Sequence, residues 1–242
     1  ADSLFASGPR LSPGAQHLRA ATQSGLVALD SGGEVVPALA ERWIITDDGR
    51  SFIFRLREDR WPDGSEMSSA SVARAVEAAI TRLDGTALGL DLAPVEDVRA
   101  MAGRVIELRL AEPVPDLLLL LAQPELALAG PGNGTGTGSG PMVADRDGAR
   151  SRLDLRPPPE RGLPDEELWQ DHVRQLELIA ASPAAALELF DDGAVDVVLG
   201  GTIGELPLVD TGPLSRGTVR LDPVTGLFGL HVRRARGLLA DE

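Results

Sequence analysis

Between Ile44 and Leu83 the chain changes its hydrophobic period, and that change limits what it can become. Asp47-Asp48-Gly49 is a strong hairpin signal, because Asp-Gly accepts the left-handed backbone that tight strand connections need. After it, Phe52, Phe54 and Leu56 alternate with Ile53, Arg55 and Arg57. A period of two predicts a strand over Ser51 to Arg57 with one buried face. Pro62-Asp63-Gly64 predicts another turn. Ser68 or Ser69 can then cap a helix running to about Leu83. Val72, Ala75, Val76, Ala79, Ile80 and Leu83 fall on one face of that helix. A chain that carries both periods so close together is mixed α/β.

The rest of the chain repeats the mixture. Residues 1–30 carry scattered Gly, Ser and Pro, then the apolar segment Leu26–Leu29. Asp30-Ser31-Gly32-Gly33 predicts a turn, and Pro37–Trp43 a short helical turn leading into Ile44-Ile45. A second strand is expected over Arg104–Leu110, stopped by Pro113 and Pro115. Asp116 is expected to cap an apolar helix through about Ala122. Gly130 to Gly140 has Gly at every second position and predicts a loop. Arg156-Pro157-Pro158-Pro159 predicts extended chain. Val173–Ile179 admits helix or strand, and strand is preferred because Ser182-Pro183 opens a helix just after it. That helix is expected to end at Gly193, followed by a buried strand over Val195–Leu199.

Composition removes several classes of function. At 242 residues, with 43% hydrophobic and 25% charged, the chain has ordinary globular composition. Such a length buries roughly 70% of its unfolded surface, so a core needs no disulfides. There is no Cys, hence no disulfide framework, thiolate metal site or Cys nucleophile. There is no Lys either, which excludes a Walker-type phosphate loop and a Schiff-base enzyme. A net charge of -14 argues against nucleic acid and against an anionic membrane surface. The apolar run Leu117–Ala122 is far too short to span a bilayer.

Tempting sites have ordinary readings beside them. His17, His172 and His231 are scattered, without the spacing of a zinc site. Asp47-Asp48, Asp191-Asp192 and Glu166-Glu167 read as solvated turns and helix ends rather than acid/base pairs. Ser139 lacks the Gly two residues before it that a nucleophile elbow requires; Thr137 is there. Trp43 and Trp61 read as core anchors rather than ligand stackers. Neither a catalytic residue nor a cofactor is expected.

The order of the motifs is more specific than any one of them. Val35-Val36-Pro37-Ala38-Leu39-Ala40-Glu41-Arg42-Trp43 resembles the signature of family 5 solute-binding proteins, where a proline precedes Leu-Ala-Glu-x-Trp. The Asp48-Gly49 turn and the alternation ending in Leu56-Arg57 follow, then Trp61-Pro62-Asp63-Gly64-Ser65, similar to the family's Phe-x-Asp-Gly-x. Leu108–Pro113 resembles its strand-then-proline step, and Gly138-Ser139-Gly140-Pro141-Met142 its Gly-Thr-Gly-Pro-Tyr. Leu153–Pro157 and Ala184–Asp196 are similar to two later segments. Met142 replaces the usual Tyr, and Ala70 and Ser71 replace an acidic pair.

This resemblance implies a type II-like lobe of a periplasmic binding protein: a mixed sheet with flanking helices and an inserted α+β subdomain. The main sheet subdomain is expected from residues 1–30 and 135–230, and the insert from 31–134. Leu227–Val232 resembles the strand leaving the first lobe. Residues 231–242 would then start a second lobe, which the resemblance implies is missing together with the C-terminal return. The implied function is the extracytoplasmic or periplasmic solute-binding component of an ABC importer, its signal peptide removed. Its partners would be a peptide or similar small solute and a membrane permease. A ligand-sensing domain of a regulatory protein is the other reading. Family ligands sit in the cleft between lobes, which places contacts at Thr22, Gln23, Ser24 and Gly25, and at Gly132, Asn133 and Gly134. Both stretches read equally as plain surface turns.

Overall fold

The structure, a computed structural model, describes residues 4, 8–61, 63–130, 138–147, 149–161, 164–171, 174–202, 204, 209–211 and 219–220. Two clusters of buried side chains organise them.

The larger cluster lies between a helix and one face of a four-stranded antiparallel sheet, strand order β3-β4-β6-β5. The strands are β3 (Ala40–Ile45), β4 (Ser51–Leu56), β5 (Val95–Met101) and β6 (Val105–Leu110). As the alternation predicts, Phe52, Phe54 and Leu56 are buried while Ser51, Ile53 and Arg55 are half-buried. Ile106, Leu108 and Leu110 of β6 continue that buried face across the ladder. Helix α2 (Ser69–Arg82) covers it with Val72, Ala73, Val76 and Ala79. Ser68 caps α2, its Oγ accepting from the Ser71 N–H at 3.2 Å. Trp61 is buried, and its Nε1 donates to Ser71 Oγ at 3.0 Å. Trp43 packs half-buried against the same cluster. The two tryptophans are core anchors, as expected.

One local reading is overturned here. Pro37–Trp43 is not a helical turn. Val35–Pro37 forms β2, paired with β1 (Val27–Leu29), and Ala40 begins β3. The reason is non-local. The Leu39 and Ala40 N–H groups donate to Gly25 and Leu26 carbonyls at 3.2 and 2.9 Å, and Trp43 pairs with Phe54. Ladder partners outside the segment outweigh the helical propensity of Ala and Leu. Strand β5 went unread because its position at the sheet edge buries only Val98, so no alternation marks it.

Between these elements lie α3 (Ala87–Asp91), α4 (Leu117–Leu121) and a 3-10 turn over Pro124–Leu126. Asp116 occupies the cap position of α4, but its side chain makes no cap hydrogen bond.

The smaller cluster joins distant parts of the chain. Helix α1 (Pro13–Thr22) starts at Ser12, whose Oγ accepts from the Ala15 N–H at 3.3 Å. It packs against a three-stranded antiparallel sheet of β7 (Met142–Asp147), β8 (Arg150–Leu155) and β9 (Gln175–Ile179). Leu4, Leu18, Met142 and Leu153 form the centre. The expected strand before Ser182 is β9, and α5 (Pro183–Asp191) follows with its Ser182 cap. Gly193 terminates it at φ +68, a left-handed conformation that a side chain would strain.

Two further readings are corrected. Arg156–Pro159 does not continue as extended chain, because Pro158–Arg161 forms a 3-10 turn. The fixed proline φ suits both conformations, so sequence could not separate them. Val195–Leu199 is not a buried strand. It joins no ladder, and Val197 and Leu199 are 65% and 62% exposed. Among the described residues no strand pairs with it. No described helix is long and apolar enough to cross a membrane.

Candidate functional site

The stretch Thr22–Gly25 is where the two clusters meet. Thr22 is buried at the end of α1, and its Oγ1 donates to the Leu18 carbonyl at 2.8 Å. The Gln23 N–H closes the helix on the Arg19 carbonyl at 2.8 Å. Beyond that point the chain is extended and tied on several sides. The Thr22 carbonyl accepts from the Gly140 N–H at 3.0 Å, and the Ser24 carbonyl from Leu128 at 3.0 Å. The Gly25 carbonyl accepts from Leu39. Ser24 Oγ donates to the Ser139 carbonyl at 3.1 Å. The stretch is therefore a structural crossing as well as a candidate binding loop.

Glycine is required where these segments touch. A Cβ on Gly138 would lie 2.2 Å from the Thr22 carbonyl oxygen, and one on Gly140 2.3 Å from the Thr22 carbonyl carbon. Both neighbours are backbone and cannot swing away. Arg156 holds the same turn from behind, its Nη2 donating to the Gly138 carbonyl at 2.7 Å. The sequence marked Gly130–Gly140 as a loop, but its partner, the end of α1, was not legible. The Ser139 hydroxyl is buried without a hydrogen-bond partner among the described residues. Of the other sequence candidates, Gly132, Asn133 and Gly134 lie outside the described residues.

Thr22–Gly25 and Gly138–Gly140 contain no carboxylate, imidazole or amine. They offer main-chain groups, hydroxyls and one amide, a set suited to hydrogen bonding rather than proton transfer. Asp47-Asp48, Glu166-Glu167 and Asp191-Asp192 are exposed, and His17 is exposed on α1. His172 and His231 lie outside the described residues. Among the described residues no cluster of His, Asp and Glu could hold a metal ion. Trp169, half-buried, carries the Arg174 guanidinium 5.5 Å from its ring centre.

This arrangement of three antiparallel sheets with flanking helices is the lobe architecture of a type II periplasmic binding protein. It aligns with NikA from Brucella suis, solved with Fe(III)-EDTA, at TM-score 0.64 and 21% identity, covering 81% of this chain and 41% of that one. AgaA of A. tumefaciens R10, solved with agropinic acid, aligns at TM-score 0.61 and 20% identity, covering 75% and 38%. The murein tripeptide-binding protein MppA aligns at 0.63 and 19%, covering 80% and 42%. By sequence, residues 34–241 match the bacterial extracellular solute-binding proteins, family 5 Middle, and the chain belongs to that family. A probable deoxycholate-binding periplasmic protein, YgiS of Escherichia coli K12, is 34% identical over 42% of this chain and 22% of its own length. The chain thus spans less than half the length of each of these relatives.

Proposed function

We propose that this chain forms one wall of the ligand cleft in the extracytoplasmic solute-binding component of an ABC importer. The observation that carries the reading is the family match over residues 34–241, supported by lobe-level similarity to NikA and MppA. The ligand is a peptide or similar small solute, delivered to a membrane permease. The protein binds and does not catalyse; the neutral, carboxylate-free candidate loops support that. Residues 1–30 and 135–230 form the main sheet subdomain and 31–134 an insert; the two side-chain clusters support this in part, since Leu26 and Val27 pack with the cluster of the insert and β1 pairs with β2.

Thr22–Gly25 contributes part of the cleft wall, where Gln23 and Ser24, both half-buried, are the side chains able to reach a solute. Two measurements test the reading. Deleting the coding sequence in the source cell should abolish uptake of a labelled tripeptide, and unchanged uptake of peptides and other small solutes would remove the transport role. Titration calorimetry of this chain with the same tripeptide should show weak binding or none, because one wall makes half a cleft. Micromolar affinity would contradict that.

A further inference from the structure

Helix α4 is five leucines, Leu117–Leu121, and it does not bury all of them. Leu117 and Leu121 lie four residues apart on one side and are both buried in the larger cluster. Leu119 falls on the opposite side, because two residues rotate a helix by about 200°. It is 40% exposed, and Leu118 and Leu120 flank it half-buried. A helix that is apolar all round is ordinarily buried all round, and a surface helix ordinarily turns polar side chains outward. Here polar residues come only at the ends. Asp116 precedes the helix, and Gln123 follows it, its Nε2 donating back to the Leu119 carbonyl at 3.1 Å.

The position of α4 connects its exposed side to the candidate loop. The helix packs against β1, where Leu29 is 42% exposed. A Cβ on Gly25 would lie 3.1 Å from the Leu121 carbonyl oxygen, so the end of α4 closes on the Thr22–Gly25 stretch. The neighbouring carboxylates are engaged locally. Asp30, next to Leu29, accepts through Oδ1 from the Gly32 and Glu34 N–H groups at 2.8 and 3.0 Å. Glu125 Oε1 accepts from Gln16 Nε2 at 2.9 Å. Single exposed leucines are common on protein surfaces. These adjoin a loop that offers main-chain groups, hydroxyls and one amide. Apolar lining beside a few polar groups is the composition of a small-molecule site.

We infer that Leu119 and Leu29 extend the Thr22–Gly25 wall as an apolar surface, which the solute meets with an uncharged aliphatic segment while its hydrogen-bonding groups lie toward Gln23 and Ser24. This rests on the cleft-wall reading of Thr22–Gly25 and names the class of solute that the wall takes: amphipathic, and uncharged where it touches α4.

Octyl glucoside below its micelle concentration is a suitable probe, because it joins an aliphatic chain to hydroxyls without charge; glucose is its control. Amide NMR of the full chain registers the weak affinity expected of a single wall. Octyl glucoside should shift the signals of Ser24, Gly25, Leu29 and Leu118–Leu121 together, and glucose should not. Leu119→Gln changes an exposed side chain and should weaken the response at least severalfold, whereas Leu119→Met keeps the apolar surface and should retain it. Absent shifts, shifts confined to other parts of the chain, an equal response to glucose, or a response unchanged in Leu119→Gln would overturn the inference. Dimerisation that Leu119→Gln abolishes would make a second copy the occupant and overturn it too. The transport reading fails on a different result, unchanged solute uptake after deletion of the coding sequence, so the two failures are distinguishable.

Discussion

The four-stranded sheet with α2 and the three-stranded sheet with α1, followed in the chain by α5, use similar elements, yet they are stabilised differently. The first buries a continuous cluster reaching from Leu26 to Leu128. The second centres on Leu4, Leu18, Met142 and Leu153, and α5 buries no residue fully. In the first, period and burial agree on β4, β6 and α2, while Ile44, Ile45 and Met101 on the edge strands stay exposed. In the second, Leu176 of β9 remains exposed, as do Val197 and Leu199 in the segment after α5. Apolar pattern predicts burial only where the chain also brings the surface to be buried against.

The contrast can be tested by substitution. Phe54→Ala, at the centre of the larger cluster and fully buried, should cost about 3–5 kcal/mol in chemical denaturation. Gly140→Ala should cost less, about 1–3 kcal/mol, because its Cβ must displace the backbone at Thr22. It should also expose the Gln23 and Gly140 amides to hydrogen exchange. A stability unchanged by Gly140→Ala would mean that the two clusters do not depend on their crossing. Ser68→Ala removes the α2 cap and should cost about 1 kcal/mol, whereas Ser182→Ala on the less buried α5 should cost less. Equal losses would mean that α5 is as tightly packed as α2. Replacing Val197 and Leu199 by Ser should change stability by no more than about 0.5 kcal/mol. A larger loss would show that the 195–199 segment is buried after all.

The smallest effect concerns pH. Asp48 and Asp63 are held below the usual carboxylate range, chiefly by the Thr46 and Ser65 hydroxyls, then by the Arg50 and Ser65 N–H groups. A carboxyl whose value falls on folding stabilises the folded chain above the unfolded value, about 3.9. That contribution is lost as pH falls through the lower folded value. Both groups are exposed at turns, so the loss should be small. Asp48→Asn should flatten the acid limb of a stability–pH curve slightly, and an unchanged acid limb would remove Asp48 from it.

Much of the site was legible only in outline. The glycines from Gly130 to Gly140 marked a loop, and the loop before Leu26 was singled out. That one meets the other through Thr22 and Ser24 hydrogen bonds had no signal in sequence, because the partners lie more than a hundred residues apart.

Local physics was enough for the Ser51–Leu56 strand, for α2 with its Ser68 cap, for the Asp48-Gly49 turn and for α5 with its Ser182-Pro183 start. Each is specified by neighbours in the chain: a period, a cap, a backbone that glycine alone adopts easily. Tertiary structure decided the rest. It put Pro37 and Ala40–Trp43 in strands rather than a helical turn, because Gly25, Leu26 and Phe54 supply partners. It left Val195–Leu199 outside any sheet, because a strand exists only with a partner, and hydrogen bonds between strands are contacts that periodicity cannot encode.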